Sequence, residues 1–214
     1  MRTSNQRDAS HPPDAKSRWR HSTRELLSLL TIAAVVLTAR SSLADHYYVP
    51  SGSMQPTVDV DDHIVVNKLA YGLRVPLLDR YALRYSQPSR GDVVVLHSPD
   101  DGTILLKRVV AIPGDRVQVQ SGEVSINGEP AHVAQHAGEI FEELGHREHP
   151  LGLTFGGGPD FGPVVVPDDR FLVLGDNRGN SKDGRFFGFV ERSAIVGRAA
   201  GIFVRAGKIT WIAL

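Results

Sequence analysis

The chain has 214 residues, enough for one substantial core or for a membrane anchor plus one domain. Lysine plus arginine equal aspartate plus glutamate at 24 each, so the net charge is zero and the basic footprint of a nucleic-acid binder is missing. There is no cysteine, which excludes disulfides, thiol catalysis and thiolate metal sites together.

Residues 1–24 are polar, with Pro12 and Pro13 among Ser, His and Asp, and carry Arg2, Arg7, Lys16, Arg18, Arg20 and Arg24 against Asp8 and Asp14. Such a segment cannot bury enough apolar surface to order itself and reads as a flexible basic tail. An apolar run follows, Leu26 to Ala39. Three readings compete for it: a buried helix, the core of a cleaved signal peptide ending near Ser42-Leu43-Ala44, and a single membrane span. In the third, Arg40 snorkels to the interface and the helix runs over 25–44. The long basic leader favours that uncleaved anchor, with the N-terminus cytoplasmic.

Beyond the anchor, residues 45–214 are expected to form a mainly β, extracytoplasmic domain. Short Val/Ile-rich runs alternate with Gly, Pro, Asp and Asn. His63 to Val66, Asp92 to Leu96, Thr103 to Ala111, Arg116 to Val119 and Phe171 to Leu174 are predicted strands. Asn127-Gly128 between two short strands predicts a hairpin with a type I′ turn, and Pro113-Gly114-Asp115 another turn. The stretch from about 130 to 168, with Gly156-Gly157-Gly158 and several histidines, reads as an irregular insertion or long loop.

Three segments are candidates for chemistry. In Pro50-Ser51-Gly52-Ser53-Met54-Gln55-Pro56-Thr57, glycine permits a sharp turn that presents a hydroxyl and an amide together, although the octapeptide alone reads more readily as a plain turn. A serine nucleophile needs a base, and none of the nine histidines sits in a compact motif. A lysine serves if burial lowers its pKa. Lys107 lies in the apolar stretch Ile104 to Ile112; a strand-edge lysine with its amine in water fits the local sequence equally well. The third segment is Gly175 to Arg185, dense in small, polar and oppositely charged residues. A calcium loop is disfavoured there by ligand spacing and by two arginines.

Taken together and in order, PSGSMQPT, RGDVVV at Arg90 to Val95, LLKRVVAIPGD at Leu105 to Asp115 and GDNRGNSKDGR resemble the boxes of the bacterial signal peptidase I family, the serine/lysine peptidases. The resemblance implies an antiparallel β-sheet catalytic domain of signal-peptidase/LexA-like type lying against the extracytoplasmic surface of the inner membrane. It implies that Ser53 is the nucleophile and Lys107 the general base. Ser51 and the Ser53 amide would form the oxyanion hole, and Ser181 would orient the lysine amine. Asp183 and Arg185 would be a supporting pair. Val49, Val58, Val95 and Leu106 would line pockets for small residues before the cut. The implied substrates are signal peptides of exported preproteins cut after Ala-X-Ala, bound by a monomer in the bilayer without cofactor or metal. The family usually has Asp where this chain has Gly179, and often Ser where it has Gly184, which puts the loop's rigidity in question. His132, His136, His146 and His149 cluster in the insertion, but His146-Arg147-Glu148-His149 lacks metalloprotease spacing, and the four read as solvated loop residues. Other readings are a Ser/Lys peptidase for a specialised substrate such as a conjugation pilin, and an inactive binding module on the same scaffold; intact Ser53, Lys107 and Ser181 argue against the last.

Overall fold

The computed structural model describes residues 25–32, 44–75, 80–136 and 138–214. The basic tail and most of the expected anchor lie outside the described residues. Residues 25–32 are helical and expose Leu26, Leu27, Leu29, Leu30 and Ile32. Among the described residues, no helix is long and apolar enough to cross a membrane.

The rest is mainly β. The strands are β1 (Ala44–Tyr48), β2 (His63–Asn67), β3 (Gly72–Val75), β4 (Arg80–Arg84), β5 (Val93–His97) and β6 (Ile104–Ala111). Then come β7 (Arg116–Gln120), β8 (Glu123–Ile126), β9 (Glu129–Pro130), β10 (His132–His136), β11 (Glu139–Leu144) and β12 (Arg147–Leu151). The chain ends with β13 (Phe161–Val165), β14 (Arg170–Leu174), β15 (Val190–Glu191), β16 (Ile195–Arg205) and β17 (Lys208–Ala213).

One 8-stranded sheet organises the domain, in the order β1-β2-β16-β5-β6-β14-β15 with β17 on β16. Its pairings are antiparallel. β5 shows why a continuous valine run belongs at its centre. Alternate side chains face opposite ways, so Val93 and Val95 join one apolar cluster with Val49, Met54, Val58 and Ile64. Val94 and Leu96 join another with Val109, Phe171 and Ile195. A third cluster packs Val110, Val117, Val119, Leu172 and Leu174 beneath the β13-β7-β8-β9 sheet.

The predicted strands are all present within a residue or two of their ends. Asn127 and Gly128 take φ 57° and 88° between β8 and β9, as a type I′ turn requires. The expected irregular stretch is different. The strands His132–His136, Glu139–Leu144 and Arg147–Leu151 form an antiparallel sheet, β10-β11-β12, and β13 pairs with β7. The inward positions of β11 and β12 include Glu142 and His149, which are cross-strand partners and both buried. Polar residues at core-facing sites erase the alternation by which a strand is read.

Candidate active site

Ser53 sits in a single 3₁₀ turn, Gly52–Met54. Extended Ser51 precedes it, and Met54 is buried in the apolar core below. Asn177 pins the turn from the side. Its backbone N–H donates to Ser53 O at 3.1 Å and its Nδ2 to Gly52 O at 3.0 Å.

Lys107 comes from β6 and is 2% exposed. Its Nζ lies 2.8 Å from Ser53 Oγ and 2.9 Å from Leu106 O. Burial lowers its pKa to about 8, against the opposing pull of Asp183 and Asp176. The buried reading of this lysine is therefore the one the fold adopts. Ser51 Oγ stands 3.5 Å from Ser53 Oγ, so the two hydroxyls share the mouth of the site.

The Gly175–Arg185 loop follows β14 and supplies the frame. Arg185 grips Asp183 at 2.8 Å through both Nε and Nη2. Asp183 also accepts from Gly175 N at 3.0 Å. Ser181 is buried against Gly175: a Cβ on Gly175 would fall 2.3 Å from Ser181 Oγ and 2.4 Å from Ser53 O. Ser181 Oγ itself makes no hydrogen bond among the described residues.

Sequence reasoning assigned no role to the ion pairs behind the site. Arg108, next to Lys107, donates to Asp176 through Nε at 2.8 Å and Nη2 at 2.7 Å. Thr57 Oγ1, just past the Ser53 turn, donates to the same carboxylate at 2.5 Å. Burial, the largest single influence, pushes the Asp176 carboxyl up, but the charge and hydrogen bonds of Arg108, with His149 and Thr57, together outweigh it and hold the pKa down. Arg178 pairs with Glu142 of β11, both fully buried. His149 lies 3.3 Å from Glu142 and 3.8 Å from Asp176, in ion-pair range and without a hydrogen bond among the described residues. This corrects the expectation for His149, which is 3% exposed, whereas His132, His136 and His146 are exposed. An arginine beside the candidate base and a second within the polar loop were the available signals, since buried arginines need carboxylate partners.

An apolar cavity of about 70 Å³ opens beside Ser53 and Lys107. Val49, Val95 and Leu106 line it, joined by Met54 and Ile64. Val58 is fully buried in the same cluster and is not on the cavity wall.

Residues 22–204 match the family described as "Signal peptidase, peptidase S26". A signal peptidase I of Pseudomonas fluorescens is 36% identical over 203 residues, covering 83% of this chain and 70% of that protein. One from Leptolyngbya laminosa is 37% identical over 175 residues, covering 77% and 71%. The crystal structure of a signal peptidase I from Enterococcus faecalis V583 is 27% identical with a TM-score of 0.37, covering 53% of this chain and 97% of that one. On the family match and these relatives, the chain belongs to the signal peptidase family, peptidase S26.

Proposed function

We propose that this chain is a membrane-anchored signal peptidase I whose nucleophile is Ser53 and whose general base is Lys107. The observation that carries this reading is the 2.8 Å approach of a buried, pKa-lowered amine to a serine hydroxyl. Neutral Lys107 takes the Ser53 proton as Oγ attacks the scissile carbonyl. The Ser53 amide and the Ser51 hydroxyl hold the developing oxyanion. Lysine returns the proton to the leaving amine, and a water, deprotonated by the same lysine, hydrolyses the acyl-enzyme. From the facing loop Asp183, itself held by Arg185, acts on the lysine through its charge, and Ser181, buried beside Gly175, is assigned to orient the amine. The small apolar cavity suits an alanine-sized side chain before the cut, which supports Ala-X-Ala specificity.

The bilayer is the second partner. Ser28 and Thr31 bond back to Glu25 O and Leu27 O at 2.8 Å, so their hydroxyls need no water. The exposed leucines of 25–32 and the basic leader support an inner-membrane anchor with the catalytic domain outside. Incubating detergent-solubilised protein with an Ala-X-Ala preprotein and mapping the products by mass tests the activity. Cleavage after the last alanine, and acylation of Ser53 by a serine-reactive penem, are expected. A cut elsewhere, or one that survives Ser53→Ala, overturns the reading.

A further inference from the structure

A second cleft borders the same turn. The apolar cavity takes its walls from residues up to Met54 on this loop, while the cleft begins at Gln55 and Pro56. It encloses about 540 Å³, inside the range of roughly 300–1,000 Å³ for clefts that hold small ligands. Asn177, which bonds to both Gly52 O and Ser53 O, is part of its wall. The insertion supplies the facing side, through Glu139 and Ile140 of β11 and the segment Leu153 to Phe155 that follows β12.

A peptide lying across Ser53 has two arms. The arm before the cut is served by the small cavity, which takes one short side chain. The arm after the cut departs as an amine, and the acyl-transfer chemistry assigns it no place. We infer that this cleft receives the first residues of the mature chain, an inference that rests on the Ser53–Lys107 reading. Its position follows from continuity: one turn, pinned by one asparagine, borders both hollows. Its chemistry follows from the lining. Ile140, Leu153 and Phe155 offer apolar contact, and Phe155 is 67% exposed, a large apolar surface left for a partner to cover. The charged residues on the wall are Asp59 and Glu139, and no lysine or arginine is among them. Asp59 is engaged by Gln55 at 3.2 Å and lies 3.6 Å from Arg205, which leaves Glu139 as the less compensated charge. The cleft therefore selects a mature segment that is apolar or basic near the cut and disfavours an acidic one.

The test uses the full chain in detergent and substrates with one Ala-X-Ala sequence before the cut. One ends in a small fluorogenic amide directly after the cut. The others continue for several mature residues, with lysine or glutamate at the third. The parent is expected to favour the extended substrates and, between them, the lysine form. Phe155→Ala and Leu153→Trp should lower the ratio of kcat/KM on extended over short substrate by about ten-fold. Glu139→Lys should invert the lysine–glutamate preference. Phe155 and Glu139 are exposed, so these two variants keep the fold. A parent that cuts short and extended substrates equally well, or variants that change both alike, overturn the role of the cleft while leaving Ser53 and Lys107 standing. Cleavage of neither substrate by the parent, or cleavage by Ser53→Ala, overturns the catalytic reading and the inference with it.

Discussion

Lys107 carries an energetic conflict. Its amine titrates at about 8 in the fold, against the ordinary 10.5. The folded chain therefore holds fewer protons than the unfolded one between those values, and stability rises with pH through that window, by about 3 kcal/mol in all. Below pH 8 the folded protein carries the full cost of a buried ammonium. Lys107→Met should accordingly be inactive yet more stable at pH 7, with the gain shrinking towards pH 10; thermal unfolding across that range measures it. For the same reason kcat/KM of the parent should climb with pH and level off above about 8 as the neutral base accumulates. A profile flat from pH 6 to 9 would exclude a lysine base. The two serines separate by role. Ser53→Ala leaves no hydroxyl to form the acyl-enzyme and should end turnover. Ser51→Ala removes one oxyanion donor and should lower kcat by about 10²–10³, roughly 3–4 kcal/mol, with KM little changed. Neither Ser53 nor Lys107 was legible from its local sequence, where a plain turn and a solvated lysine fit as well; it was the order of the four boxes, and the family they resemble, that singled them out. His149 was not legible either, because a histidine among Gly, Glu and Pro looks solvated until the strand opposite brings Glu142 against it.

At the scale of elements, the insertion and the catalytic loop lock together. The glycine run 156–158, which in sequence suggests slack, threads a narrow gap. A Cβ on Gly157 would fall 1.9 Å from Ser121 C, and one on Gly158 2.7 Å from Arg178 O. Arg185 donates to Gly157 O, and Arg178 to Gly122 O and to Glu142. Gly157 and Gly158 are there for close approach, whereas Gly156 has open space around it and a φ of 80° that glycine adopts freely. The same packing accounts for Gly179. A Cβ there would lie 2.1 Å from Phe155 O and 2.6 Å from Gly156 O, so the aspartate usual in the family has no room beneath this loop. Gly179→Asp should destabilise the fold by about 1–3 kcal/mol, through strain and backbone displacement. Unchanged thermal unfolding in that variant would mean the 155–158 loop yields freely. Gly184→Ser should cost less, because its nearest neighbour is the end of the Leu172 side chain at 2.7 Å, although Val173 O stands close behind at 2.9 Å. The core strands were legible from alternation and valine runs. The insertion was not, because its inward positions are ion pairs that only a finished tertiary structure can balance.

At the scale of the molecule, one face of the main sheet is unlike the rest. β1, β2 and β16 turn Tyr48, His63 and Phe203 outward in edge-on ring contacts. Trp211 lies over Gly201, where a Cβ would meet its ring at 2.9 Å. Ile209, two residues along β17, is 91% exposed and Trp211 60%. Tryptophan and tyrosine beside exposed isoleucine are the composition of a membrane interface rather than of a watered sheet surface. β1 also begins at Ala44, where the proposed anchor ends, so this face adjoins the anchor in sequence. The domain is expected to rest on the bilayer by this face, which would hold the active site near a substrate that is itself embedded in lipid. Trp211 reports on it directly, because Trp19 is the other tryptophan and can be removed as Trp19→Phe. In vesicles containing brominated lipid, Trp211 emission should be strongly quenched and blue-shifted relative to detergent-free buffer. Ile209→Asp should weaken the quenching and slow cleavage of membrane-embedded preprotein more than cleavage of a soluble peptide. An unquenched Trp211, or equal losses on both substrates, would place this face in water and leave the anchor alone to hold the enzyme at the membrane.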